Sequence, residues 1–372
     1  MVSRVRIVFL ALLIGLLLPL PGQSQSTLAV IDSEEFTGEG PGDNMVFSVQ
    51  RNARYVTALA FNTGEAVTHR LERDGNIGEE VGRTYIGAEP RAMAMARNRD
   101  FTVVVNSIAN ELVVLAIGDD GQLREVSRAP SGGLNPYDVA VGHNDIVSVV
   151  NRDSDQINTF HIDRRGRLTP LAQAAAGIDP HVVAVSRNGF IGVANQGDRS
   201  VSLFDMNRRG ELIPLGPPIA MSIAGSNPPA NMVPRTLTWR DRDLFVALDA
   251  PGINEDLIRA FHLTMDGRLI YVGDAPAGAF LTDIDVTQDA LFAVTANRNN
   301  LADPTDDRDE IRAYRIGEGT VLTLDASVQT PGWPPSFKQV SAWPGARGTW
   351  HVIDSEFQGG WLRSLLYTPD EP

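Results

Sequence analysis

The chain has 372 residues, a formal net charge of −14 and no cysteine. Without cysteine there are no disulfides, thiolate metal sites or cysteine nucleophiles. The acidic balance lacks the basic footprint that nucleic-acid binding needs, so no nucleic-acid partner is expected.

Residues 1–26 read as a secretory signal. Arg4 and Arg6 precede an apolar run at 7–18, followed by Pro19, Pro21 and small polar residues. The run of 12 residues is shorter than the ~20 that a spanning helix needs. The expected mature chain is therefore 27–372, periplasmic or secreted, with no membrane span. Residues 28–32 (LAVID) then form a strand with no unit of its own.

From Met45 onward one unit recurs. It is clearest at 135–171 and 179–215, which align without a gap at a spacing of 44 (179 minus 135). Matched positions include Pro136/Pro180, Val139/Val183, Asn151/Asn195, Phe160/Phe204 and Gly166/Gly210. In the second of these copies, 181–185 is an apolar run, Arg187-Asn188-Gly189 turns, and 190–195 is a second run. After a turn at 196–199, residues 200–205 alternate polar and apolar; 207–210 turns again, and 212–215 starts a fourth strand. Four short strands joined by turn clusters make an antiparallel meander. The first two strands are apolar on both alternations, so they must be buried on both faces, as in blades stacked around an axis.

Further copies start near Met45, Arg91, Arg235, Thr282 and Phe337, which makes seven. The turn glycines Gly75, Gly121, Gly166, Gly210 and Gly267 keep the beat, with spacings of 46, 45, 44 and 57. Segments 217–233, 299–310 and 331–336 interrupt it and are expected as loops on one face of a ring. The seventh copy stops after its third strand, at Tyr367. An unpaired strand edge is a liability, so residues 27–33 are predicted to pair beside 361–367. The expected fold is all-β: a seven-bladed β-propeller of four-stranded antiparallel blades, one domain over 27–372, closed by the N-terminal strand.

In such a ring the start of each innermost strand points to one mouth of the central channel. Those positions are Arg91, Tyr137, His181, Arg235, Thr282 or Asp283, and Lys338. Three permanently basic groups and a histidine would focus a small anionic ligand, bound bidentately by arginine. Alternatively each cation pairs with a neighbouring carboxylate, such as Asp138, Asp179 or Asp283, and plugs the ring. The six histidines show no ligand spacing and the acidic stretch 303–310 lacks the calcium-loop order, so no metal or other cofactor is expected. Asn106, Asn151 and Asn195, which end the second strands, are expected to cap the turns that follow them.

The elements Pro180-His181, Val193-Ala194-Asn195, Ser200-Val201-Ser202-Leu203-Phe204 and Gly210-Glu211-Leu212 resemble those of the seven-bladed lactonase-type propellers. That group includes bacterial 6-phosphogluconolactonases and the fungal carboxymuconate lactonizing enzyme. The resemblance implies an active site of histidine, arginine and glutamate at one channel mouth. His181 matches the family's Pro-His opening, Arg235 its Pro-Arg opening, and Asp249 falls where its glutamate closes the next strand. The family's second histidine is replaced by Thr236, and its further arginine has no match at Leu281-Thr282-Asp283. On this reading His181, Arg235 and Asp249 are catalytic and Arg91, Tyr137, Asp283 and Lys338 bind substrate. The activity implied is metal-independent hydrolysis of an anionic sugar or carboxy lactone. The alternative is a non-catalytic binding propeller that recognises a protein partner through loops 217–233 and 299–310.

Overall fold

A strand that is apolar on both faces needs a neighbour on each side, and the chain supplies one by repetition. In the computed structural model the described residues are 26–35, 45–49, 54–96, 101–142, 145–222, 232–249, 256–278, 280–295, 308–331, 339–346, 348–356 and 361–370. They form seven antiparallel sheets, each built from strands consecutive in sequence apart from the closing one. The first six blades begin with the innermost strands Met45–Val49, Pro90–Met95, Pro136–Val141, Pro180–Val185, Val233–Arg240 and Leu281–Val286. The seventh comprises Val340–Pro344, Trp350–Glu356, Trp361–Thr368 and, outermost, the N-terminal Thr27–Glu35. The expected export signal lies outside the described residues, apart from Ser26.

The core is distributed rather than central. Seven buried apolar clusters lie one between each pair of neighbouring blades. Period-2 alternation decides which cluster a residue joins. Val103 and Val105 face the third blade, in a cluster with Val147 and Val149. Val104 faces the first blade, with Leu59 and Ala66. The last cluster joins Val56, Ala58 and Val67 of the first blade to Ile353 and Leu362 of the seventh, so the ring is closed by the same packing that builds it.

Closure follows the predicted pairing. Thr27 stands opposite Thr368 and Glu35 opposite Trp361, with an irregularity between Val30 and Asp32. Asp32 then reaches the first blade: its Oδ2 accepts from the Ile77 amide at 2.8 Å. Ser364 donates to the carbonyl of Gly75 at 2.6 Å, tying the seventh blade to the first blade's outer turn.

All three expected loops are partly strand, the third only at Pro331, which ends the strand Leu322–Pro331. Within 217–233, Ile219–Ala220 resumes pairing with the third strand of the fourth blade, opposite Val201 and Ser200, and Val233 already belongs to the next inner strand. The fourth blade's outer strand is broken rather than absent, because Pro217 and Pro218 have no amide to donate to the ladder. Within 299–310, residues from Arg308 onward lie in the strand Arg308–Ile316. The stretches 223–231, 299–307 and 332–336 lie outside the described residues.

Inner strands expose amides toward the channel, and carboxylates from the neighbouring blade take up some of them. Asp138 accepts from Val183 at 2.8 Å, Asp283 from Val340 at 3.0 Å and Asp285 from Ala342 at 2.9 Å. Burial pushes the carboxyl groups of Asp138 and Asp283 up to about 7. A carboxyl whose folded value is raised stabilises fully below its unfolded value, near 3.8, and loses that contribution as pH rises through about 7.

Asp138→Asn keeps an oxygen for the Val183 amide and removes the charge. Its melting temperature relative to wild type should therefore be near zero change at pH 4, rise up to pH 7 and stay flat above it. Deleting residues 27–33 should lower the melting temperature by at least several degrees, since it opens the ring and exposes the seventh blade's apolar faces. Unchanged melting of the deletion variant would contradict closure by this strand.

Candidate active site at one mouth of the channel

All inner strands start at the same end of the ring, and the chain enters four of them by one repeated crossover. Gly87, Gly133, Gly177 and Gly278 each stand three residues before a strand start, at Pro90, Pro136, Pro180 and Leu281. A Cβ on Gly177 would lie 2.6 Å from the Asn195 side chain, and one on Gly133 2.6 Å from that of Asn151. On Gly87 it would lie 2.1 Å from Asn106. The strand-ending asparagines thus pack against the incoming crossover, and Asn195 and Asn106 also hydrogen-bond to it. Asn195 Oδ1 accepts from the Gly177 amide at 3.1 Å while its Nδ2 donates to Ser200 and Ser202. Asn106 donates back to the carbonyl of Ile86 at 3.3 Å. The expectation that they cap the following turns is corrected at Asn151, whose side chain makes no cap hydrogen bond to the turn Arg152–Ser154 and donates to Asn158 instead.

The residue before each of these strands adopts positive φ: 53° at Glu89, 52° at Asn135, 57° at Asp179 and 58° at Phe280. A β-bulge follows. Pro180 pairs with Asn195 and Val182 with Ala194, so His181 is the extra residue. The same bulge leaves Arg91, Tyr137, Arg235 and Thr282 unpaired in their strands. Bulges re-aim side chains, and here five consecutive blades re-aim the same position. Thr282 takes this place in the sixth blade. Asp283 stands one residue beyond, its carboxylate engaged by Thr236 at 3.1 Å and by the Val340 amide. It sits between blades rather than at the bulge. Lys338 lies outside the described residues.

The bulged side chains meet in a row around the mouth. The Arg91 guanidinium lies 5.2 Å from the Phe61 ring centre and 4.6 Å from that of Tyr137. The Tyr137 and His181 rings are 4.3 Å apart and tilted by 53°. Arg235 pairs with Asp249, its Nε donating at 3.1 Å. Two further groups were not singled out from sequence. Arg152, just after the third blade's second strand, stacks 5.6 Å from Tyr137 and donates to Asp179 at 2.5 Å. Ser107 accepts from Arg91 at 3.2 Å and donates to the carbonyl of Pro136 at 2.8 Å, linking two blades. The signal for Arg152 is its place directly after Asn151; that for Ser107 is its place directly after Asn106.

His181 is buried, and burial lowers its pKa below the ordinary histidine value. The Asp179 carbonyl and carboxylate oppose this, while the charges of Arg152 and Arg235 reinforce it. The imidazole is therefore neutral at pH 7 and able to accept a proton. Among the described residues the arginines of the mouth follow the second of the two expectations, pairing with carboxylates, although of the carboxylates named only Asp179 takes part. Glu89 lies 3.8 Å from Arg91, Asp179 pairs with Arg152, and Asp249 with Arg235. Among the described residues no cluster of three or more His, Asp or Glu could hold a metal ion.

Residues 87–185 match the family model described as lactonase, 7-bladed beta-propeller. The stretch contains the first three Gly-x-x-Pro crossovers with Arg91, Tyr137 and His181, and it ends before Arg235. None of the curated proteins compared matches the chain. Among solved structures, the periplasmic gluconolactonase PpgL of Pseudomonas aeruginosa is 14% identical, with a TM-score of 0.64 over 83% of this chain and 97% of that one. A candidate 6-phosphogluconolactonase of Bacteroides fragilis is 14% identical, with a TM-score of 0.61 over 84% and 99%. A protein of the COPII outer coat vertex on membranes, 10% identical, reaches 0.61 over 89% and 84%. The resemblance to lactonase-type propellers is thus borne out, while the fold by itself is shared with a coat protein.

Replacing Gly177 with Ala would push a methyl group against Asn195 and Asp198. The expected cost is about 1–3 kcal/mol, an overpacking penalty. Chemical denaturation checks it, and a cost below about 0.5 kcal/mol would mean that the crossover does not need its glycine.

Proposed function

We propose that this chain is an exported lactone hydrolase that works without a metal at the mouth lined by its second to fifth blades. The observation that carries the proposal is the row Arg91, Tyr137, His181 and Arg235, aimed to one place by one repeated bulge. Support comes from the lactonase-family match over 87–185, which includes three of those four residues. Export is supported by the signal-like residues 1–26 and by the likeness to a periplasmic protein of Pseudomonas.

In the reaction, the His181 imidazole takes a proton from water, and the resulting hydroxide adds to the lactone carbonyl. The Arg235 guanidinium, steadied by Asp249, faces the developing oxyanion. Collapse breaks the ring C–O bond, and the departing alkoxide takes back the proton, leaving a hydroxy acid. Among the described residues three carboxylates answer three guanidinium groups here. That balance supports an uncharged sugar lactone, recognised through its hydroxyls, over the anionic lactone expected from sequence.

The same pairing, together with Thr236 where the family has a second histidine, favours a second reading: a propeller that binds a ligand without turning it over. Hydrolysis of a panel of neutral and phosphorylated sugar lactones separates the two. The enzyme reading expects turnover above the spontaneous rate, greater for neutral lactones, and a loss of about 10²–10⁴-fold in His181→Ala. Equal rates in both proteins, or none in either, would leave the binding reading standing.

A further inference from the structure

The contacts around His181 single out a group that neither the family resemblance nor the bulge pattern assigns. Asp179 is held at its amide, its carbonyl and its Oδ1. Its amide donates to Asp155 at 2.8 Å and its carbonyl accepts from Gln196 at 2.9 Å. Its Oδ1 accepts from Arg152 Nε at 2.5 Å. Its backbone is left-handed, with a φ of 57°. His181 Nδ1 lies 3.1 Å from the carbonyl oxygen and 3.4 Å from Oδ1.

A carbonyl oxygen can only accept, so Nδ1 carries the hydrogen and the neutral ring leaves Nε2 bare. Nε2 has no hydrogen-bond partner among the described residues. The second blade uses the same i, i+2 geometry, with Glu89 facing Arg91, but there the two side chains remain 3.8 Å apart.

We propose that Asp179, clamped by Arg152, is a positioning residue that fixes the His181 tautomer and presents Nε2 to the mouth as the proton acceptor. Among the described residues the charged and titratable groups around the imidazole are Tyr137 from the third blade, Arg152 from the turn behind it, Asp179 from the crossover and Arg235 from the fifth blade. Asp179 and Arg152 act on the imidazolium with opposite sign, and the proposal therefore predicts opposite responses to their removal. The catalytic role of Nε2 rests on the lactonase reading; the geometry of the pair does not.

The test is nitrogen-15 and proton NMR of histidine-labelled full-length protein, with His181 assigned from its loss in His181→Gln. In wild type the neutral ring should be protonated at Nδ1. In Asp179→Asn the titration midpoint of His181 should fall by about 1 pH unit, and in Arg152→Gln it should rise by a similar amount. A wild-type ring protonated at Nε2 would overturn the proposal without any variant. So would midpoints that stay put, or move the same way, in both substitutions. Where wild type hydrolyses a lactone, Asp179→Asn should lower kcat at least tenfold with little change in KM, and the acid limb of its pH profile should move with the NMR midpoint. Shifts as expected in a protein that hydrolyses no lactone would sustain the pairing and remove the lactonase reading alone.

Discussion

The structure depends on burying both faces of every sheet at once. A blade in isolation would present two apolar surfaces to water, and no single neighbour covers both. Seven interfaces, each with its own cluster, satisfy all seven blades only when the circle closes. Each buried Val or Leu contributes about 1.5–3 kcal/mol relative to exposure. An open array would forfeit a whole cluster at its ends. This is why the strand far away in sequence, Thr27–Glu35, is recruited to the seventh blade, and why Asp32 and Ser364 add polar ties across that seam.

The same repetition builds the candidate site. A ring grows by copying, so whatever geometry serves one crossover recurs around the axis. The glycine that passes under a strand-ending asparagine, the left-handed residue and the bulge are structural needs of the turn from an outer strand to the next inner one. Their by-product is a side chain aimed at the mouth in blade after blade. Varying that one residue, from Arg91 through Tyr137, His181 and Arg235 to Thr282, changes the chemistry of the mouth without disturbing the packing below it. The compensating carboxylates come from the crossovers and strand ends, so that among the described residues Arg91, Arg152 and Arg235 each face a carboxylate.

Much of this was legible from residue patterns. Two-faced apolar strands, turn glycines at a steady beat and an orphan strand at the start of the fold were enough for the ring and its closure. His181, Arg91, Tyr137 and Arg235 were legible too, because the start of an inner strand is a position defined by the repeat. The choice between Thr282 and Asp283 stayed open, since the bulge that selects Thr282 is a backbone event with no residue signature of its own. The roles of Arg152 and Ser107 were not legible, because each acts on a neighbouring blade through space. The partly stranded insertion at 219–220 was hidden by the prolines before it, which break a strand without ending its sheet.

By itself the sequence determined how many blades there are, which faces they bury and where the inner strands of the second to fifth blades begin, because periodicity is a local property that folding inherits. Only the tertiary structure decided which charges neutralise one another and which nitrogen of His181 faces the Asp179 carbonyl. Those outcomes depend on distances of about 3 Å between residues on different strands and turns, and hydrogen-bond and Coulomb energies change too steeply over that range for spacing along the chain to specify them.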